Sequence, residues 1–334
     1  MELARGSDPQ PAVEHRGSAE IQRKHRDAHD HLQTLKRNRD DESIEWLSMT
    51  DNAFLDAGGE RHGAQPGHGH DRRSGMAQTS LPVLMYHGIH ADASSRGRYE
   101  PVYSVTAQAF SAQLDWLLAR GYRSVRLDEL CGDDARGGKR VVITFDDGDV
   151  SNFEVALPLL RERGFVAEFF VTSDFIGTDG MLTSADVRAL SAAGMGVQSH
   201  GRTHRYLEDL APGDLDEELS FSRQVLEQAT GKAVDALALP GGRGGERERL
   251  VAQRLGYRYL LNSEPGPNRG WHADSYLQRL AVTRGMGMKE FAGMVTWSGI
   301  GPRMARMRYH ALRLPKRMLG NRRYEQLRAR MFGP

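Results

Sequence analysis

Residues 140–148 read RVVITFDDG, an apolar run rich in β-branched residues that ends abruptly in two carboxylates and a glycine. Short apolar runs of this kind recur between residues 81 and 282, and segments of helical periodicity lie between them. Alternation of strands and helices along one chain predicts a parallel sheet covered by helices. The seven predicted strands are Leu81–Tyr86, Arg140–Phe145, Val166–Thr172, Met195–Ser199, Ala236–Leu239, Tyr257–Leu261 and Leu277–Val282.

The strand count favours a barrel over an open sheet. Seven strands fall within about 200 residues, and no Gly-x-Gly-x-x-Gly motif follows the first strand, which argues against a dinucleotide-binding fold. The helices predicted between the strands are Ala107–Arg120, Asn152–Arg163, Ser184–Ala193, Pro212–Thr230 and Glu246–Leu255. We therefore expect an α/β barrel.

Composition divides the chain into three parts, residues 1–80, 81–300 and 301–334. Residues 1–43 hold six large aliphatic residues and no aromatic residue, too few to offset the entropy of ordering them. We expect the first part to be a disordered extension, or to lie upstream of a translation start at Met76. The last part carries ten cations against Glu325 alone, which predicts a basic amphipathic helical tail.

The whole chain is nearly neutral, with 45 Lys and Arg against 44 Asp and Glu, so its charge favours no nucleic-acid partner. A single cysteine, Cys131, excludes an intramolecular disulfide framework. The first residues lack the apolar core of a secretory signal, and no apolar run approaches the ~20 residues of a membrane span. We expect a cytoplasmic protein, peripheral to the inner membrane face if the tail binds lipid.

Asp146 and Asp147 follow a predicted strand directly, where parallel α/β folds carry catalytic groups. Adjacent carboxylates repel each other near an apolar core, and a divalent cation relieves that repulsion. This pair therefore indicates a metal site. The alternative is a helix-capping Asp146 followed by a solvated Asp147.

His200 and His204 follow a different predicted strand and stand four residues apart. Two imidazoles at this spacing can converge on one ion if the segment is helical or tightly turned. Imidazole and carboxylate ligands favour Zn, Co, Ni or Fe over Mg or Ca, and three protein ligands leave a position for water. The alternative is a pair of surface histidines or histidines satisfied by neighbours.

These motifs resemble those of the polysaccharide deacetylase family, carbohydrate esterase family 4, which shares the NodB homology domain. Thr144–Gly148 (TFDDG) matches the first family motif in full, and His200 and His204 match His-Ser/Thr-x-x-His with Gly201 in place of the hydroxyl residue. The resemblance implies a distorted (β/α)7 barrel that removes N-acetyl groups from sugars with one divalent metal, most simply Zn. It also implies that Asp147, His200 and His204 bind the metal and that Asp146 is the general base.

The third family motif, Arg-x-Pro-x-Gly, is only partly matched by Ala238–Gly242 (ALPGG), because Ala238 stands where the family has the arginine that orients the base. The resemblance implies that Gly241 donates its N–H to the oxyanion and that Gly242 belongs to the same substrate loop. We expect Arg279 to replace the missing arginine.

The late Leu-x-His motif, which carries the general acid of the family, is absent. Leu84–Ile89 (LMYHGI) instead resembles the opening motif of the circularly permuted branch, which includes poly-N-acetylglucosamine deacetylases. In that branch the acid histidine ends the first strand, which implies that His87 is the acid; a capping or core histidine is the alternative. Trp271, in a loop rich in Gly and Pro, is expected to wall a sugar subsite or to cover the core.

The sequence thus predicts a metal-dependent hydrolase that removes N-acetyl groups from an amino-sugar glycan or glycoconjugate, in polysaccharide or cell-envelope biosynthesis. The alternatives are an amidase or deformylase acting on a small amide, and a non-catalytic sugar-binding module. The expected partner is an N-acetylated sugar polymer or a lipid-linked glycan. Residues 302–334 are expected either to contact an anionic membrane or to pack on the barrel, and no nucleic acid is expected because no aromatic stacking platform accompanies the charge.

Overall fold

The computed structural model describes residues 80–131, 138–269 and 275–311, and eight strands in these ranges form one sheet. All the strand pairs are parallel, in the order β7-β6-β5-β4-β3-β1-β8, with β2 paired to β3. The strands are β1 Val83–Tyr86, β2 Tyr122–Ser124, β3 Lys139–Phe145, β4 Glu168–Val171, β5 Gly196–Ser199, β6 Ala236–Ala238, β7 Tyr259–Leu261 and β8 Leu280–Ala281.

The segment 277–281 joins the two edges of this sheet. Leu277 donates its N–H to Leu260 O of β7 (2.8 Å), and its own carbonyl accepts from Asn262 N (3.0 Å). A few residues later, Leu280 pairs with Leu84 of β1. The sheet therefore curls back on itself as a seven-stranded ring with β2 outside it, which confirms the predicted distorted (β/α)7 barrel.

Helices cover the outside of the sheet. They are α1 Ala107–Ala119, α2 Leu157–Glu162, α3 Ser184–Ala192, α4 Pro212–Thr230, α5 Glu246–Arg254, α6 Met288–Val295 and α7, helical over residues 301–311. The five predicted helices are present, although Asn152–Ala156 forms a π-helical turn ahead of α2. The sequence pattern did not predict β2 or α6. β2 has only three residues (YRS) and no apolar run, and Gly293 interrupts the short helical pattern of α6.

Side chains alternate across β3, as the period of two in a strand requires. Val141, Ile143 and Phe145 belong to the larger buried cluster, which includes residues of α1 and α2. Val142 belongs to a second buried cluster, made largely of side chains from the other strands. Thr144 and then Asp146 follow on the side of Val142, and both are buried. The strand pattern therefore delivers this carboxylate to the inside of the barrel at its carboxyl end.

The predicted parts of the chain outside the described residues are 1–79, Trp271 and residues 312–334. No described helix is long and apolar enough to cross a bilayer.

Candidate active site

The chain turns sharply where β3 ends. Asp147 has φ +74° and Gly148 has φ +89°, and a Cβ on Gly148 would lie 3.0 Å from Val171 Cγ1. A left-handed conformation costs a non-glycine residue about 1–3 kcal/mol, so the surrounding structure must enforce it at Asp147. The turn sends the side chain of Asp147 towards the loop that follows β5.

Asp147, His200 and His204 converge at this point. The Nε2 atoms of His200 and His204 lie 3.4 Å and 3.3 Å from Asp147 Oδ1, and one ligand atom from each residue lies within 4.8 Å of the others. His200 Nδ1 donates to the carbonyl of Ala238 (2.8 Å), which fixes the ring with Nε2 facing Asp147. The three predicted ligand residues therefore form one cluster.

This cluster fits a divalent cation. Asp147 Oδ1 is buried and has no hydrogen-bond partner among the described residues. Burial raises the pKa of Asp147, but polar contacts with His200 and His204 and the nearby His87 charge hold it well below its usual range, so the carboxyl is ionised. An ionised oxygen beside two imidazole nitrogens is the ligand chemistry of Zn and similar transition metals.

The loop after β5 is held by Glu218, a buried residue of α4. Its Oε1 accepts from the backbone N–H groups of Arg202 (2.9 Å) and Thr203 (2.7 Å), and its Oε2 accepts from Thr203 Oγ1 (2.9 Å). A Cβ on Gly201 would lie 3.0 Å from Glu218 Oε1, at φ +78°. Glycine at position 201 therefore allows the loop to adopt a left-handed conformation and to pass close to the Glu218 carboxylate.

Sequence reasoning missed Glu218. The signal was present, because α4 buries Leu215, Leu219 and Leu226 at helical spacing and Glu218 falls on the same face. A carboxylate on the apolar face of a helix needs hydrogen-bond donors, and here the loop that carries His204 supplies them.

Asp146 is paired with Arg279, and both side chains are buried. Arg279 Nη1 and Nη2 donate to Oδ1 and Oδ2 of Asp146 at 2.6 Å and 2.7 Å, and its Nε donates to the carbonyl of Asn262 (2.9 Å). Burial raises the pKa of Asp146, but the charges of Arg279 and His200 outweigh it, so the pKa is lowered. The structure thus places Arg279, rather than residue 238, against the proposed base.

His87 follows β1 at the same edge of the barrel. Its ring stacks on Tyr103 with centroids 4.8 Å apart, and its carbonyl accepts from Asn152 Nδ2 (2.8 Å). His87 Nδ1 is buried and has no hydrogen-bond partner among the described residues. A positive charge at His87 would lower the pKa of both Asp146 and Asp147, which lie near it at this edge of the barrel.

The loop after β6 holds Gly241 (φ +62°) and Gly242 (φ +66°). A Cβ on Gly241 would lie 2.4 Å from Tyr206 Cε1, and one on Gly242 would lie 2.1 Å from Ser263 Oγ. Backbone conformation and close contacts therefore both require glycine here. The loop starts at the strand end whose Ala238 carbonyl holds His200, which puts it at the same edge of the barrel as the metal-ligand cluster.

Comparison with known proteins connects these features. The sequence profile of the polysaccharide deacetylase family matches residues 133–260, a range that contains Asp146, Asp147, His200, His204 and Gly241. The Bacillus subtilis protein YxkH, which is named as a polysaccharide deacetylase, is 29% identical over 222 residues, or 64% of this chain and 76% of YxkH. Residues 133–260 are a polysaccharide deacetylase domain.

Two further relatives extend the comparison. A poly-β-1,6-N-acetyl-D-glucosamine N-deacetylase of Staphylococcus aureus is 21% identical over 199 residues, which cover 54% of this chain and 68% of that protein. The crystal structure of a Bacillus anthracis protein named as a polysaccharide deacetylase superposes with a TM-score of 0.59 at 26% identity, covering 65% of this chain and 69% of that one. As a polysaccharide deacetylase, the protein is a hydrolase of carbon–nitrogen bonds. His87 precedes the matched range in sequence, and Arg279 follows it.

Proposed function

We propose that this polysaccharide deacetylase removes N-acetyl groups from an amino-sugar polymer of the poly-N-acetylglucosamine type, with one divalent cation, most simply Zn. The observation that carries the proposal is the ionised Asp146–Arg279 pair beside the cluster of Asp147, His200 and His204. The name of the Staphylococcus aureus relative supports the substrate class. Such an activity belongs to polysaccharide or cell-envelope biosynthesis, with a free or lipid-linked glycan as substrate.

Asp147, His200 and His204 would hold the cation. When bound, it supplies Lewis-acid chemistry, withdrawing charge from oxygen atoms placed against it. Asp146 takes a proton from the water that attacks the acetyl carbonyl carbon. Both carboxylate oxygens of Asp146 already accept from Arg279, but a carboxylate has about four lone-pair sites, so acceptor capacity remains for that water.

The remaining residues act on the two ends of the scissile amide. The N–H of Gly241 stabilises the oxyanion that develops on the acetyl oxygen. Protonated His87 donates to the amide nitrogen as the carbon–nitrogen bond breaks, because an amine anion is a very poor leaving group. The products are acetate and a free amino sugar, and atoms balance with one water consumed.

The first test separates metal ligands from the base. We expect Asp147→Ala and His200→Ala to lose bound metal, and Asp146→Asn to keep the metal but lose acetate release from N-acetylglucosamine oligomers, because a ligand and a base fail differently. Metal content is measured by elemental analysis of the purified full chain. His310→Ala, at an exposed histidine, is the matched control and should change neither quantity.

Full metal content in His200→Ala would contradict the assignment of the ligands. Turnover of small amides without any turnover of oligomers would replace the proposed substrate with a small amide. Binding of oligomers without acetate release by the metal-loaded protein would reduce the site to a sugar-binding module.

The second test concerns His87. We expect His87→Ala to lose most hydrolysis of the N-acetyl amide but to retain much more activity on an activated acetyl ester, whose leaving group needs no proton. The ratio of kcat/KM values on the two substrates is the measurement. An equal loss on both substrates would assign His87 to binding or to structure.

A further inference from the structure

Exposed large apolar side chains concentrate near the end of the described chain. Among the described residues, Ile300 (76% exposed), Met304 (55%) and Met307 (65%) are the most exposed of this class. They stand at the i, i+4 and i+7 positions of one helical face, and Met304 N donates to Ile300 O, which starts α7 at that point. We call Ile300, Met304 and Met307 the apolar stripe.

The other face of α7 packs on the barrel. Pro302 is buried, and Ala305 and Tyr309 are half-buried, with Ala305 in contact with the main core. At 3.6 residues per turn, this face lies about opposite the apolar stripe. The apolar stripe therefore faces away from the barrel surface on which α7 packs.

Cations border the stripe on both sides. Arg303 and Arg308 are exposed, and helical geometry places them about 70° to either side of it. Residues 300–311 contain no acidic residue, so no carboxylate within this segment neutralises the two arginines. Residues 312–334 add seven more cations and one anion, Glu325. An apolar stripe between two rows of cations is the pattern of a helix that lies in an anionic lipid interface.

The position of α7 relates it to the active site. Arg306 Nη2 (2.9 Å) and His310 Nε2 (3.3 Å) both contact Glu264 Oε1, and Gln278 Nε2 donates to the same oxygen (3.1 Å). Glu264 lies in the loop after β7, at the carboxyl edge of the barrel where Asp146 and His200 also stand. The stripe therefore belongs to the catalytic end of the barrel.

We propose that the apolar stripe, with Arg303 and Arg308, is a binding surface for an anionic lipid bilayer, and that it holds the catalytic end of the barrel close to the lipid headgroups. A second copy of this chain fits poorly, because a two-fold contact sets the same surface against itself and brings arginines together. A nucleic acid fits poorly too, because Ile300, Met304 and Met307 offer no stacking platform. The apolar side chains enter the acyl boundary while the arginines reach the lipid phosphates.

The test uses the full chain and vesicles of phosphatidylcholine with and without phosphatidylglycerol, separated by flotation. We expect binding to the anionic vesicles that weakens as salt rises from low to physiological ionic strength. Arg303→Ser with Arg308→Ser should weaken partitioning by more than tenfold, since each cation near an anionic surface contributes about fivefold. Ile300→Ser with Met304→Ser and Met307→Ser should weaken it at both salt concentrations.

Leu118→Ser with Leu250→Ser is the matched control, because both leucines are 52% exposed and lie on other helices, α1 and α5. We expect the control to bind vesicles as the unchanged protein does. Circular dichroism shows that each variant is folded. Because the vesicle assay contains no sugar, its result does not depend on the proposed function.

Three results would overturn the proposal. The full chain could fail to bind anionic vesicles at low salt. It could bind equally well after the stripe and arginine substitutions, which would assign binding to residues 312–334 alone. Or the stripe substitutions could abolish a dimer, seen by light scattering, without changing vesicle binding.

Discussion

Arg279 gives Asp146 two parallel hydrogen bonds, and a lysine at that position cannot reproduce them. We expect Arg279→Lys to lower kcat at least tenfold while the metal content stays unchanged, because the charge remains but the carboxylate loses its fixed orientation. Acetate release and elemental analysis are the measurements. Arg258→Lys, at an exposed arginine about 3.9 Å from Asp235, is the control.

Unchanged kcat in Arg279→Lys would mean that charge alone suffices to position the base. Arg279→Met is a harsher variant, because it leaves Asp146 buried without a partner. Such a loss costs about 3–5 kcal/mol of stability, so kcat would be hard to interpret.

At the scale of single residues, the sequence predicted those site residues that belong to short motifs at the ends of strands. The pattern of Asp146, Asp147, His200 and His204 was sufficient to predict that these side chains lie close together, because the carboxyl ends of parallel strands meet at one edge of the sheet. The apolar face of α4 indicates that Glu218 is buried, but it does not identify its partners, because two of them are backbone N–H groups of a loop 15 or 16 residues away that no pattern of side chains marks.

At the scale of elements, α4 and the loop after β5 act together. We expect Glu218→Ala to weaken metal affinity by about 10–100-fold, as loss of groups that orient metal ligands does, because the loop carrying His204 loses its acceptors. Competition against a chelator of known affinity measures this. Glu217→Ala is the matched control, since that exposed neighbour bonds only the side chain of Arg202 among the described residues.

Equal metal affinity in Glu218→Ala and Glu217→Ala would show that the loop holds its shape without the buried carboxylate. A loss of folding in Glu218→Ala can be checked with Glu218→Gln, which keeps one acceptor oxygen. We expect that variant to be intermediate in metal affinity.

Element prediction succeeded where periodicity was strong and failed where it was weak. The bounds of α4 agree with the prediction at both ends, because Pro212 starts the helix and Gly231 (φ +67°) ends it in a left-handed cap. The three residues of β2 pair with β3 through backbone hydrogen bonds that their side chains do not encode. Closure of the ring by residues 277–281 likewise depends on backbone bonds to both edges.

At the scale of the whole molecule, the end of the barrel opposite the catalytic edge carries a buried carboxyl, Glu168, at the start of β4. Its Oε1 accepts from Leu127 N (2.8 Å), and its Oε2 has no hydrogen-bond partner among the described residues. Burial raises the pKa of Glu168 from 4.5 to about 7. The folded protein therefore holds a proton there that the unfolded chain releases above pH 4.5, so stability falls as pH rises from 4.5 through 7.

We expect Glu168→Gln to remove this dependence. Between pH 4 and pH 8, the unfolding free energy of the unchanged protein should fall by about 3 kcal/mol relative to that of the variant. Each tenfold difference in proton affinity between the folded and unfolded chain corresponds to about 1.4 kcal/mol. Urea unfolding at the two pH values measures it. Glu162→Gln, at an exposed glutamate, is the control, and a Glu168→Gln variant with the same pH dependence as the unchanged protein would contradict the argument.

The segment 277–281, which closes the ring, is synthesised after all the other strands. Arg279 follows Asp146 by 133 residues, so a ribosome adds Asp146 roughly 7 to 27 s before Arg279, at about 5–20 residues per second. A nascent chain cannot cheaply bury that carboxylate alone. The interior of the unfinished barrel must stay hydrated around Asp146 until residues 277–281 dock, so a prematurely terminated chain has neither a closed ring nor a working base.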